Sequence, residues 1–195
     1  MILQENLIPI IILILTITFV IHNEGFTTLF KKSVHNKKNY EVQDEKNSQK
    51  VADLIGKIEL NIHKFTKYLK KKHPNDQRIK RLINNLENTE YRESPFEKGT
   101  SSYTLNKGEV VSLCLREKNK PKDIHDLNTL MFVVIHELGH VMTLSEGHTD
   151  EWMTNFRFLL REGEKCGIYK PVDYSQENIN YCGVDVTHNP YYNSV

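Results

Sequence analysis

His136, Glu137 and His140 stand in the spacing H-E-x-x-H within the stretch LNTLMFVVIHELGH. On a helix, residues four apart lie one above the other, so both imidazoles face one point. Zinc suits such a pair, at nitrogen distances of about 2.0 to 2.1 Å. Glu137 is then placed to take a proton from a water that the metal has made acidic, which is the chemistry of metal-assisted hydrolysis. A catalytic zinc takes three protein ligands and keeps a fourth position open. His148, eight residues beyond His140, is the leading candidate for the third. It follows Gly147, which lets the chain turn, and precedes Thr149, Asp150 and Glu151, which read as the cap and first turn of another helix. The rival ligands are Glu146, Asp150, Glu151 and Glu162. The competing reading of the motif is an ordinary amphipathic helix with two unliganded histidines.

The elements that must hold these residues are legible in the periodicity. Asp126 or Asn128 can cap a helix running to about Leu144. At 100° per residue its apolar side chains gather on one side, while Thr129, His136, His140 and Thr143 form a narrow stripe opposite, edged by Phe132, Val133 and Leu144. Such a helix is covered on more than one side, and a histidine pair there wants a partner. The helix opened by Thr149 continues through Trp152, Phe156, Leu159 and Leu160 to near Gly167. Upstream, SSYTLNKGEVVSLCLR (Ser101 to Arg116) reads as a hairpin turning at Asn106, Lys107 and Gly108, with Val110 to Arg116 as its second strand. Val51, Leu54, Ile55, Ile58, Ile62, Phe65 and Leu69 recur at helical steps before Pro74, and Ile79, Leu82, Ile83 and Leu86 mark a second helix opened by Asn75 and Asp76. The fold class expected is therefore α+β, with the H-E-x-x-H helix packed on a small sheet.

Between Ser101 and Tyr169 the sequence resembles the WLM family of small zinc metalloproteases, grouped with the SprT-like proteins. The elements that carry the likeness are the strand VVSLCLR, the helix LNTLMFVVIHELGH, and GHTDEW (Gly147 to Trp152), where a histidine is followed shortly by an aromatic residue. The resemblance implies a zincin-like fold, zinc held by His136, His140 and His148, Glu137 as general base, and a protein or peptide substrate. It also allows a repair protease acting on DNA-bound proteins. The metzincin pattern is not met, since its third histidine would fall at Glu146. For a proton donor or oxyanion stabiliser, Tyr169, Tyr174, Tyr181 and His188 are available, with Tyr181 and His188 slightly ahead.

The chain of 195 residues carries 26 basic and 25 acidic side chains, so global charge argues for no partner. At 38% hydrophobic and 26% charged it is neither disordered throughout nor polytopic. The uncharged run Leu7 to Ile21 stands apart. As a helix it would be about 22 Å long against a hydrocarbon core of about 30 Å, and flanking residues extend it to a single span. A cleaved signal peptide is the rival, but no basic region precedes the run and no small-residue cleavage site follows. Residues 1–23 are thus expected to be a transmembrane anchor, 24–50 a polar linker, and 51–195 the metallopeptidase domain. Lys31, Lys32, Lys37 and Lys38 beyond the run put the domain on the cytosolic side. Cys114, Cys166 and Cys182 show no framework spacing and are expected to stay reduced as core fillers. Cys166 and Cys182 could share a second metal only as a weak signal. Lys64, Lys67, Lys70, Lys71, Lys72, Arg78, Lys80 and Arg81, opposed only by Asp76, form one basic patch. A solvated helix face is its default explanation, ahead of lipid headgroups and of nucleic acid, for which no aromatic side chains interleave. A membrane scaffold in which zinc only ties helices together is the non-enzymatic rival, and it would need a closed four-ligand site.

Overall fold

The computed structural model describes residues 27–95, 101–117 and 120–192. The run expected to be an anchor lies outside them. Among the described residues, no helix is long and apolar enough to cross a membrane.

The first described element corrects the sequence reading. Residues expected to be a polar linker form an antiparallel hairpin, β1 (Thr28–Lys32) and β2 (Asn39–Gln43), with Thr28 opposite Gln43 and Lys32 opposite Asn39. Tyr40 and Val42 alternate inward to full burial, and they join the core of the domain. Two inward side chains on a five-residue strand leave too few apolar residues to register as a hydrophobic run. Glu59 receives hydrogen bonds from Lys38 Nζ at 2.5 Å, from Asn36 Nδ2 at 3.0 Å and from the Tyr40 hydroxyl, which clamps the hairpin to the next helix.

That helix, α1 (Ser48–Lys72), buries Val51, Ile55, Ile58, Ile62, Phe65 and Leu69 along the stripe read from the sequence. It ends two residues before Pro74, and Lys70, Lys71 and Lys72 fill its last turn, where positive charge opposes the helix dipole. α2 (Gln77–Asn85) starts at Asp76, whose carboxylate accepts from Arg78 N at 2.9 Å. The central sheet has the order β3 (Glu90–Glu93), β5 (Val110–Leu113), β4 (Tyr103–Leu105). β3 runs parallel to β5, with Glu90 opposite Val110, and β4 runs antiparallel to it, with Tyr103 opposite Ser112. β4 is thus an edge strand of this sheet.

The expected strand Val110 to Arg116 divides. β5 stops at Leu113, and Arg116 opens β6 (Arg116–Glu117), which pairs with β7 (Lys120–Ile124). An ion pair inside the protein sits where the strand divides: Arg116 Nε donates to Glu93 Oε1 at 2.6 Å, and each side chain is only 1% exposed. Gln43 N adds a bond to Glu93 Oε2 at 2.7 Å, which brings β2 beside β3.

α3 (Leu127–Met142) begins at Asp126, whose carboxylate accepts from Asn128 N at 2.9 Å and Thr129 N at 3.1 Å. It is buried almost all round, packed by α4 (Asp150–Cys166) on one side and the sheet on another. α4 ends at Gly167, whose φ of 68° forms a left-handed cap. A hairpin of β8 (Ile179–Tyr181) and β9 (Val184–Val186) then returns toward α3, followed by a short turn of helix at Pro190–Tyr192. The result is a small domain of mixed helix and sheet.

The cysteine reading is also corrected. Cys114, just past β5, and Cys182, in the β8–β9 turn, are joined by a disulfide with Cα atoms 6.4 Å apart, while Cys166 is free. Their separation of 68 residues gives no local pattern, because the pairing depends on where the β8–β9 hairpin returns.

Candidate metal centre

α3 presents His136 and His140 one turn apart, and the chain leaving it brings His148 back to the same point. The three Nε2 atoms form a triangle: His136 to His140 is 3.3 Å, His140 to His148 is 3.2 Å, and His148 to His136 is 3.1 Å. Ligands held tetrahedrally about 2.0 Å from one centre lie about 3.3 Å apart, so this donor set fits zinc. Among the described residues it is the one such cluster of metal-ligating groups. Burial and the neighbouring imidazoles lower His136 to about 3, and they lower His140 to about 4, which keeps both rings neutral, the form that ligates.

The loop carrying His148 is tied at several points. Gly147 takes a φ of 78°, which a side chain would strain. Glu151 accepts from Leu144 N and Ser145 N, each at 3.1 Å, and from the Ser145 hydroxyl at 2.8 Å. Lys107, in the β4–β5 turn, donates to the Ser145 carbonyl at 2.8 Å and pairs with Glu146 at 3.0 Å. Below the triangle lies Trp152, 4% exposed, with its ring centroid 4.3 Å from His148, 4.7 Å from His136 and 5.2 Å from His140. Gly139 makes room for it: a Cβ there would meet Trp152 Nε1 at 3.0 Å.

Glu137 is buried beside this triangle, and Thr104 of β4 donates its hydroxyl to Oε2 at 2.8 Å. Burial pushes the carboxyl up to about 7, with the Thr104 bond working in the opposite direction. A carboxyl so placed can both take and return a proton near neutral pH.

The rival third ligands are accounted for. Glu146 pairs with Lys107, Glu151 holds the loop, and Glu162 is bound by Lys165 at 2.7 Å, His73 at 3.0 Å and Tyr68 at 3.1 Å on the far side of α4. Asp150 is the first residue of α4 and lies outside the histidine cluster. None of the four groups named as proton donors lines the main cleft with a free hydroxyl or ring. Tyr169 and Tyr174 are buried, His188 does not line the cleft, and the Tyr181 hydroxyl is engaged with Ser102 at 2.6 Å and the Cys114 carbonyl at 2.7 Å. Cys166 stays apart from Cys182, so the two do not share a metal. Thr104 was not foreseen; its strand was, but only the packing of β4 over α3 shows which side chain meets Glu137.

The two arginines of the basic patch are structural. Arg78 bonds Asp76 at 2.6 Å and Asn155 at 3.1 Å, and Arg81 donates to the Met142 carbonyl at 2.6 Å at the end of α3. The remaining lysines lie largely on the exposed face of α1.

A cleft of about 570 Å³ opens over the triangle, bounded by Tyr103, Thr104 and Lys107 on one side and Glu146 and His148 on the other. Together the H-E-x-x-H helix, the edge strand above it and the returning histidine define a WLM-like fold. The crystal structure of Wss1 from Saccharomyces cerevisiae matches with a TM-score of 0.51, at 20% identity, over 65% of this chain and 86% of that one. That of a Wss1 mutant matches with a TM-score of 0.50, over 66% and 91%. No family model matches the chain. It belongs to the family of "Uncharacterized protein R325" of Acanthamoeba polyphaga mimivirus, to which it is 33% identical over 190 residues, spanning 92% of each protein. It is also 42% identical over 90 residues to "Uncharacterized protein 042R" of Invertebrate iridescent virus 3, covering 46% of this chain and 50% of that protein.

Proposed function

We propose that the protein is a zinc-dependent endopeptidase. The observation that carries this is the triangle of His136, His140 and His148 nitrogens with Glu137 buried beside it, under the edge of β4. The Wss1-like fold supports the reading. Zinc bound there would supply a Lewis acid and an acidified water. The residues of the chain do the rest. Among the described residues β4 pairs only with β5, and an extended peptide can add along its other edge through main-chain hydrogen bonds. Thr104 holds Glu137 in place, and Glu137 takes the proton of the attacking water and hands it to the departing amine. Trp152 and the Glu151-tied loop fix the imidazoles, so little reorganisation is needed on binding.

Elemental analysis of the full chain in detergent tests this. The parent is expected to hold one zinc, His148→Ala to lose it, and Glu137→Gln to keep it while losing hydrolysis of an unfolded protein substrate. A parent that stays metal-free after zinc is supplied sinks the reading, and the scaffold reading requires a fourth protein ligand. Action on DNA-bound proteins is the alternative substrate choice, which the family resemblance allows and against which the near-neutral net charge and the expected anchor speak. It requires DNA-stimulated activity that falls steeply with salt.

The same proposal includes an anchor: the run Leu7 to Ile21 holds the domain at a membrane, with the domain on the cytosolic side. The run and the lysines after it support this, and resistance to carbonate extraction checks it. The Cys114–Cys182 bond requires an oxidant at some stage of folding, which alkylation of freshly isolated protein detects.

A further inference from the structure

A second, smaller cavity of about 150 Å³ opens on the other side of His136 and Glu137 from the polar cleft. Its walls are Phe132 and Val133 of α3 and Tyr181, Val184 and Val186 of the β8–β9 hairpin, with Ser101 and Ser102 at the mouth. The two cavities share Ser101, Ser102, His136 and Glu137, so a chain lying along β4 passes both. One limb is polar, bordered by Lys107 and Glu146, and the other is apolar. Val184 is 53% exposed although it sits in a wall made of side chains that are otherwise mostly covered. The hairpin is held in place at its turn: the Tyr181 hydroxyl reaches Ser102 and the Cys114 carbonyl, and Cys182 is bonded to Cys114.

We infer that this cavity is a binding pocket for one apolar side chain of the substrate, next to the scissile bond on the side of Ser101 and Ser102, with Val184 and Val186 as specificity-determining residues. A volume of about 150 Å³ is on the scale that holds a benzene ring, so the pocket accommodates leucine, isoleucine or phenylalanine. A carboxylate there would lose its hydration against valine and phenylalanine side chains, with no lysine or arginine among the lining residues, and is rejected. The inference deepens the endopeptidase reading and rests on it for the position of the scissile bond.

Binding and cleavage are measured separately. Zinc-loaded full-length Glu137→Gln protein in detergent is titrated with a capped glycine–alanine hexapeptide containing one leucine, and with the same peptide containing aspartate in its place. The leucine peptide should bind about tenfold or more tightly. Val184→Asp, a change at an exposed position that leaves the core intact, should abolish that preference, and Val184→Trp should weaken the leucine peptide by obstructing the mouth. Equal affinities for the two peptides, or a leucine preference unchanged in both Val184 variants, overturn the pocket. Cleavage-site profiling of a peptide library with the parent then separates the two claims. Cuts with no apolar enrichment beside them refute the pocket while hydrolysis stands; leucine-selective binding with no cuts leaves the pocket standing and removes the hydrolytic reading.

Discussion

Replacing Trp152 tests whether the three imidazoles are held by packing or only by the backbone. Its indole is 4% exposed and lies within 5.2 Å, centroid to centroid, of all three histidine rings and of Phe156 at 5.1 Å. Such a side chain buries on the order of 200 Å² of apolar surface, worth about 5 kcal/mol at 25 cal/mol per Å². Direct truncations of buried tryptophan cost about 3 to 5 kcal/mol, so both routes give the same scale. In a domain of ordinary stability, Trp152→Ala should therefore lower the urea midpoint steeply but leave a folded population in the cold. The more diagnostic effect is on the metal. With the floor removed, the imidazoles of His136 and His148 gain rotational freedom, and zinc affinity should fall about 10- to 100-fold, the scale seen when a ligand's supporting contacts are lost. Competition against a chromogenic chelator measures that directly. Trp152→Phe keeps an aromatic face under the rings and should stay close to the parent in affinity. A folded Trp152→Ala protein with parental zinc affinity would refute the idea that Trp152 positions the ligands, and a Trp152→Phe protein as weak as the alanine variant would point to the indole ring specifically.

Removing Arg116 should be as costly as losing a large core residue: Arg116→Met strands Glu93, 1% exposed, and should lose about 3 to 5 kcal/mol, while adding Glu93→Met restores most of it in urea melts. The Glu59 carboxyl lies below its ordinary range because bonds from Lys38 and Tyr40 outweigh the effect of burial. Its stabilising contribution is therefore complete above the unfolded carboxylate range and is lost as pH falls through the folded value; Glu59→Gln should flatten the drop in melting temperature between pH 5 and about pH 3. Cutting the Cys114–Cys182 link with serine at both positions should cost up to about 4 kcal/mol, since the link closes a loop of 68 residues. Identical denaturation midpoints with and without reductant would show that the link carries no stability.

What could be read from the sequence was what repeats at short range or announces itself chemically. The α1 stripe, a cap at Asp126 or Asn128, the Thr149 cap, the β4–β5 turn and the turn that brings His148 to the histidine pair all follow from neighbours within a few residues. What could not be read depends on contacts between distant segments. The β1–β2 hairpin hid behind polar residues because its inward side chains, Tyr40 and Val42, are few and find their partners on α1. Arg116 looked like the end of a strand because nothing near it in the sequence reveals Glu93, which lies across the sheet. Thr104 and the β8–β9 hairpin matter only because of what the fold sets beside them, Glu137 for the one and Ser102 for the other.

For the endopeptidase proposed above, the disulfide also has a topological consequence where one copy meets another. Cys114 and Cys182 enclose both α3 and α4, and with them every histidine of the triangle. Two exposed stretches, Glu146 to His148 and Ser175 to Glu177, lie inside that covalent ring. A single cut at either place would leave the two pieces tethered, so a nicked molecule could remain assembled around its site and reveal the break only as two bands on a reducing gel.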